Sequence, residues 1–240
     1  MSKIITSGDE TLLSSISESK ALSRRKFLGY GGAAAFAMVA VGSSCNKNDK
    51  NNTPNAIDLG SGDVGILNYA YALEQLEAAF YVRVFTGTTY SGGSAAEMAL
   101  LADIRDHEIA HREFFKNAIG SSRIQDLTPD FSSINFADRN SVLGAAKAFE
   151  DTGVSAYNGA GKLFSETATG RTYLTLAGKI VSVEARHAAY IREIITPNTF
   201  ADSSVIDANG LDKSRTPAEV LVIANTYLTT KISGNNLPTS

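Results

Sequence analysis

Hydrophobic positions recur at helical spacing over four long stretches of the chain, with polar segments rich in Gly, Ser, Thr and Asp between them. The first stretch runs from Asp63, the expected N-cap, to about Phe85, and Thr86-Gly87-Thr88-Thr89 ends it. The second opens with Ser94-Ala95-Ala96-Glu97, the spacing of a capping box, and reaches about Ala118 before Gly120 closes it. The third covers about Asn140 to Ser165, and the fourth about Arg171 to Ile195, stopping before Pro197. A second capping-box start, Thr216-Pro217-Ala218-Glu219, has Pro at the first helical position and launches a short fifth helix, EVLVIANTYL. No stretch reads as a convincing strand.

Each long helix spans about 23 to 26 residues, roughly 35–39 Å. The connection from Gly120 to Arg139 contains Ser, Asp and Pro129 and is too long for a tight hairpin. It is long enough to traverse a bundle of this height. The pattern therefore predicts an all-α four-helix bundle with one long crossover between two short links, and a short C-terminal fifth helix as a packing element.

The chain has 240 residues, 43% hydrophobic and 20% charged, as a soluble globular protein would. A net charge of −3 leaves no basic footprint for nucleic acid. Cys45 is the single cysteine, so no disulfide framework exists. The N-terminus changes the picture more. Ser23-Arg24-Arg25-Lys26-Phe27-Leu28 looks like a twin-arginine export signal, and an apolar run of small residues follows to Val41. That run falls short of the roughly 20 residues of a membrane anchor; an N-terminal membrane helix is the alternative. Gly42-Ser43-Ser44-Cys45 resembles a bacterial lipoprotein processing site, with Gly42 where Leu is usual, so lipid attachment at Cys45 and plain signal cleavage nearby both stand. The expected organisation is a signal peptide over 1–45, a flexible tether over 46–62, the helical domain over 63–230 and a tail over 231–240. The expected location is the periplasm or cell envelope.

The chemistry concentrates in two segments. The three histidines are His107 and His111 in Asp106-His107-Glu108-Ile109-Ala110-His111, and His187 in Glu184-Ala185-Arg186-His187. Each segment contains Glu-x-x-His, which places a carboxylate and an imidazole on one helix face, within reach of one divalent ion. The other two helices offer Glu74 and Glu150 within apolar runs. Glu74 precedes Glu108 by 34 residues, and Glu150 precedes Glu184 by the same 34. Tyr81 and Tyr157 each follow their Glu by seven, two helical turns on and close to the same stripe. Glu77, one turn from Glu74, is the alternative helix-one ligand, although its counterpart in the repeat is Gly153. His107 points about 100° away from Glu108, as an outer or surface residue. Asp151, Glu113 and Glu193 read as surface charges, and Arg186 either flanks the cluster or is solvated. A single Glu-x-x-His is more often a surface pair. Four carboxylates and two imidazoles facing one axis would repel unless cations or protons intervene.

LNYAYALEQLEAAFY, HEIAHREFF, AFEDTGVSAYNGA and TPAEVLVIANTYL together resemble the ferritin-like superfamily, and within it an exported ferritin-like or desiccation-related group. The resemblance covers about Asp63 to Leu228. It implies two divalent transition-metal ions, iron or manganese. Glu74 and Glu150 would each cap one ion, Glu108 and Glu184 would bridge both, and His111 and His187 would each give one nitrogen. Tyr81 and Tyr157 would stand behind them. Dioxygen or peroxide would be the small-molecule partner, in ferroxidase, peroxidase or manganese-catalase-like chemistry. A non-catalytic envelope protein with a structural or sequestering metal site, and a metal-free bundle keeping a buried polar network, remain alternatives. Lipid anchoring and homo-oligomerisation also stay open.

Overall fold

The computed structural model describes residues 55–87 and 90–239. The expected signal peptide, Cys45 and the tether to residue 54 lie outside the described residues. Five α-helices follow in order: α1 (Gly62–Val84), α2 (Ala95–Ile119), α3 (Arg139–Ala160), α4 (Ala168–Ile195) and α5 (Pro217–Ala224). Two short strands, β1 (Ile57–Asp58) and β2 (Ile232–Ser233), pair in parallel. The all-α bundle with its crossover and fifth helix is therefore the architecture observed. α1 packs along α2, and α3 along α4, as two hairpins joined by residues 123–138.

α1 and α3 form the inner layer. Every residue of α1 from Gly65 to Ala78 is buried, as a helix apolar nearly all round requires. α2 and α4 bury one stripe each. The crossover, α5 and the tail cover the remaining face of α1 and α3. There Phe80 lies 5.0 Å from Phe149, and Phe149 4.7 Å from Tyr227, between ring centroids. Val220, Leu221 and Ala224 of α5 are buried in the same layer, as expected of a packing helix.

The crossover pairs by its backbone with the segment after α5 at the Pro129–Leu228 bridge, and buried polar side chains of α1 satisfy more of its backbone. Asn68 Oδ1 accepts from Ile124 N at 3.0 Å, and Gln75 Oε1 from Leu127 N at 2.7 Å. The Asn68 amide also donates to the carbonyls of Leu59 and Ser122, both at 3.1 Å.

Several boundaries differ from the sequence reading. Ser61 is the N-cap of α1; Asp63 lies inside the first turn, where its carboxylate accepts from Ser165 N and Oγ, both at 2.7 Å. α3 ends at Ala160, passing into a 3-10 turn (Gly161–Leu163), and α4 starts at Ala168 because Thr167 Oγ1 caps Gly170 N. α5 ends at Ala224, and a 3-10 turn continues it to Tyr227. The Thr216–Glu219 capping box is complete. At Ser94 only half forms: Ser94 Oγ accepts from Glu97 N, while the Glu97 carboxylate turns to Tyr90 Oη and Arg139. The two strands were not expected. The end of the expected tether and the expected tail instead pair, burying Leu59, Ile232 and Leu237.

Glu97 thus ties the start of α2 to the start of α3. The guanidinium of Arg139 is the largest influence on its carboxyl and, against burial, lowers its pKa below the ordinary carboxylate range. A carboxylate with a depressed folded pKa contributes stability above its unfolded pKa of about 4.3 and loses it as pH falls. Glu97→Gln should therefore be less stable than the parent at pH 7, and the gap should close below about pH 4 in acid-unfolding curves.

Gly159 of α3 meets the incoming segment before α5. A Cβ there would lie 1.8 Å from the Arg215 carbonyl oxygen, which no side-chain adjustment relieves. Gly159→Ala should cost about 3 kcal/mol. In urea the midpoint should fall without a change in slope.

Candidate metal centre

The helical register brings six side chains to the middle of the bundle. Glu74 comes from α1, Glu108 and His111 from α2, Glu150 from α3, and Glu184 and His187 from α4. All four carboxylates are 0% exposed, His187 is 5% exposed, and the His111 side chain 13%. Solvent thus approaches from the imidazole side, between α2 and α4.

The contacts repeat the twofold pattern of the sequence. His111 Nδ1 lies 3.5 Å from Glu74 Oε2, 3.6 Å from Glu108 Oε2 and 2.8 Å from Glu184 Oε1. His187 Nδ1 lies 3.4 Å from Glu150 Oε2, 2.9 Å from Glu108 Oε1 and 3.7 Å from Glu184 Oε2. Glu108 and Glu184 therefore touch both halves, while Glu74 and Glu150 serve one half each. Two overlapping groups could each hold a metal ion: Glu74, Glu108, His111 and Glu184, and Glu108, Glu150, Glu184 and His187.

The residues fit divalent ions on a specific observation. Both oxygens of Glu108 and Glu184, Oε2 of Glu74 and of Glu150, and Nδ1 of both histidines are buried without a hydrogen-bond partner. The contacts are short, yet their angles are not those of N–H donors meeting carboxylate acceptors. Orphaned buried polar atoms are costly. Oxygen and imidazole donors converging in this way suit a first-row transition ion.

Two tyrosines hold the outer carboxylate oxygens, and they do so crosswise. Tyr81 of α1 donates to Glu150 Oε1 of α3 at 2.5 Å, and Tyr157 of α3 donates to Glu74 Oε1 of α1. The sequence placed each Tyr on the stripe of its own Glu; its hydrogen bond goes to the other half. Burial, with the adjacent Glu150 or Glu74, raises both phenol pKa values far up, so both remain donors.

The electrostatics are those of crowded acids sharing few protons. Burial raises the Glu108 carboxyl well above its usual range, with Glu184 adding to it. Burial also pushes Glu150 up to about 7. Glu184 goes the other way: burial opposes ionisation, but contacts with His111 and His187 bring it down to about 2. For His187 burial alone would lower the pKa; Glu108, Glu150 and Glu184 outweigh it and push it up to about 12. His111 is raised by Glu108, Glu184 and Glu74 against the same burial.

Glu77 is buried at 3% exposure but falls outside both groups. Its Oε1 fills the notch at Gly153, 2.8 Å from where a Cβ would stand, and its Oε2 has no partner. Burial, then Glu184 and Glu108, raises its pKa well above normal. His107 is exposed on the outer side, yet its Nδ1 lies 2.9 Å from His187 Nε2, with the rings stacked at 5.2 Å and 10°. Burial and the neighbouring His187 and His111 lower its pKa. Arg186 is exposed.

Asp151 is not the surface charge expected: its side chain is 17% exposed and pairs at 2.6 Å with Arg192, itself 2% exposed. Glu113 is a surface charge beside Arg112, and Glu193 accepts from Asn198 N. Arg192 forms a second buried charge system, with Asp151 and Asp202, that residue spacing does not single out. Its signal was available only as a cation on the apolar face of α4.

A family model described as a ferritin-like domain matches residues 62–197, which takes in α1 to α4 and all six converging side chains. No curated protein matches the chain. The match spans more than half of the sequence and coincides with the bundle and its central cluster, so the chain belongs to the ferritin-like domain family.

Proposed function

We propose that the cluster holds two divalent transition-metal ions, iron or manganese, and that the protein carries out metal-centred oxidation–reduction with dioxygen or peroxide in the cell envelope. The observation that carries this reading is the pair of shared carboxylates. Glu108 and Glu184 each contact both imidazoles through oxygens that have no other partner. One ion would lie among Glu74, Glu108, Glu184 and His111, the other among Glu150, Glu108, Glu184 and His187. Iron or manganese held there would supply one-electron changes to dioxygen or peroxide.

The chain's own residues do the rest. Tyr81 and Tyr157 fix the two outer carboxylates, each leaving Oε2 turned to the centre. The Nδ1 atoms of His111 and His187 face the carboxylates, so the proton of each neutral ring belongs on Nε2. The apolar layers of α1 and α3 exclude water from the inner side.

Envelope action follows from the Arg24-Arg25 signal, and membrane attachment from Cys45. The exported or desiccation-related ferritin-like group is the setting that suits them. The test is metal quantification on natively exported protein, followed by anaerobic loading with Fe(II) or Mn(II) and challenge with peroxide. About two equivalents of metal per chain are expected, with turnover for at least one metal. Binding without turnover for either would leave a structural or sequestering centre, and less than one equivalent in repeated preparations would leave a metal-free polar network.

A further inference from the structure

The site is built from an internal repeat of offset 76: Glu74 matches Glu150, Tyr81 matches Tyr157, Glu108 matches Glu184 and His111 matches His187. Two positions near the centre break it. The counterpart of His107 is Val183, and the counterpart of Glu77 is Gly153. The first of these falls on the His187 half. His107 Nδ1 meets the far nitrogen of His187. Glu77 reaches into the notch beside Glu150, where Oε2 of Glu184, the oxygen facing His187, lies 3.8 Å from the same point.

Building on the dimetal reading, we propose that the two half-sites are unequal: the Glu150–His187 half takes the first ion, and His107 is the positioning residue that makes it so. A ligating imidazole is a better and better-aimed donor when its other N–H has an acceptor. His187 has that acceptor in Nδ1 of His107, whose ring also stacks against it and restricts its rotation. His111 makes no such hydrogen bond among the described residues, and Val183 has no group to offer one. The two ions therefore load in sequence, not together.

The test is calorimetric titration of the metal-free full-length chain with Mn(II) under anaerobic conditions. The parent should show two steps whose dissociation constants differ by about 10- to 100-fold. His107→Val copies the counterpart residue at an exposed position. It should weaken the tighter step by about that factor and leave the other step and the helicity unchanged. His107→Asn keeps an acceptor and should retain the tighter step within a few-fold. Anomalous scattering from crystals given one equivalent of Mn(II) should place the ion beside His187. Two equal steps in the parent, an ion beside His111, or equal weakening of both steps in His107→Val would each overturn the proposal. Absence of any Mn(II) binding by the parent would overturn the dimetal reading and this inference with it.

Discussion

Glu108→Gln should leave the stability of the metal-free protein within about 1 kcal/mol of the parent and remove most of the stabilisation that added metal confers. Burial, with Glu184 beside it, raises the Glu108 carboxyl well above its usual range and so favours its neutral form in the metal-free cluster. The amide replaces it in shape and polarity. With metal present the situation inverts, because Glu108 contacts both histidines and would serve both proposed half-sites. At a free metal concentration about 1,000 times the dissociation constant, each ion stabilises the folded state by about 4 kcal/mol. A roughly 100-fold loss of affinity lowers that to about 1.4 kcal/mol per ion. Thermal unfolding with and without Mn(II) measures both quantities. Glu74→Gln is the internal comparison: of the two ligand histidines Glu74 contacts only His111, so it should weaken one step and spare the other. An undiminished metal-induced shift in Glu108→Gln would mean that ions bind elsewhere.

Arg192→Ala should cost about 3–5 kcal/mol, the effect of stripping a buried charge of its partner. Arg192 Nη1 lies 2.6 Å from Asp151 Oδ2 on α3, and Nη2 lies 2.9 Å from Asp202 Oδ1 in the segment after α4. Its Nε donates to the Thr199 carbonyl at 3.0 Å, and its Nη2 also bonds Ser204. One guanidinium thus joins α4 to α3 and anchors the loop that leads to α5. Without it Asp151 keeps its burial, which already raises its pKa in the parent, and loses the cation that opposes the rise. For a domain of this size the melting temperature should fall by about 10 °C. Asp151→Asn in the same background should recover part of the loss, because the stranded charge is gone. Arg192→Ala should also fare comparatively better at low pH, where Asp151 is protonated. A melting temperature unchanged by Arg192→Ala would show that the ion pair contributes nothing net.

What the sequence disclosed was whatever depends on position along a helix. Apolar spacing located the four long helices, and the matched 34-residue separations singled out Glu74, Glu108, His111, Glu150, Glu184 and His187, which the fold brings together. Partners across the bundle were not legible. The stripe rule put Tyr81 with Glu74, but the side chain leans across to Glu150 because α1 and α3 lie side by side. His107 read as an outer residue from its angle alone; its stacking on His187 depends on how α2 faces α4. Asp151 read as solvated because nothing in its neighbourhood announced Arg192, 41 residues on. The two-residue strands were too short to show a period of two, and the pairing of Ile57 with Ile232 is set by the docked tail.

The crossed tyrosines tie the two hairpins into one chemical unit. A fragment ending before Arg139 would carry Glu74, Glu108 and His111 but lack the phenol that orients Glu74, and the complementary fragment would lack the one that orients Glu150. Neither piece can assemble a finished centre alone. Cutting the chain in the crossover and mixing the halves would make metal uptake a direct reporter of their reunion.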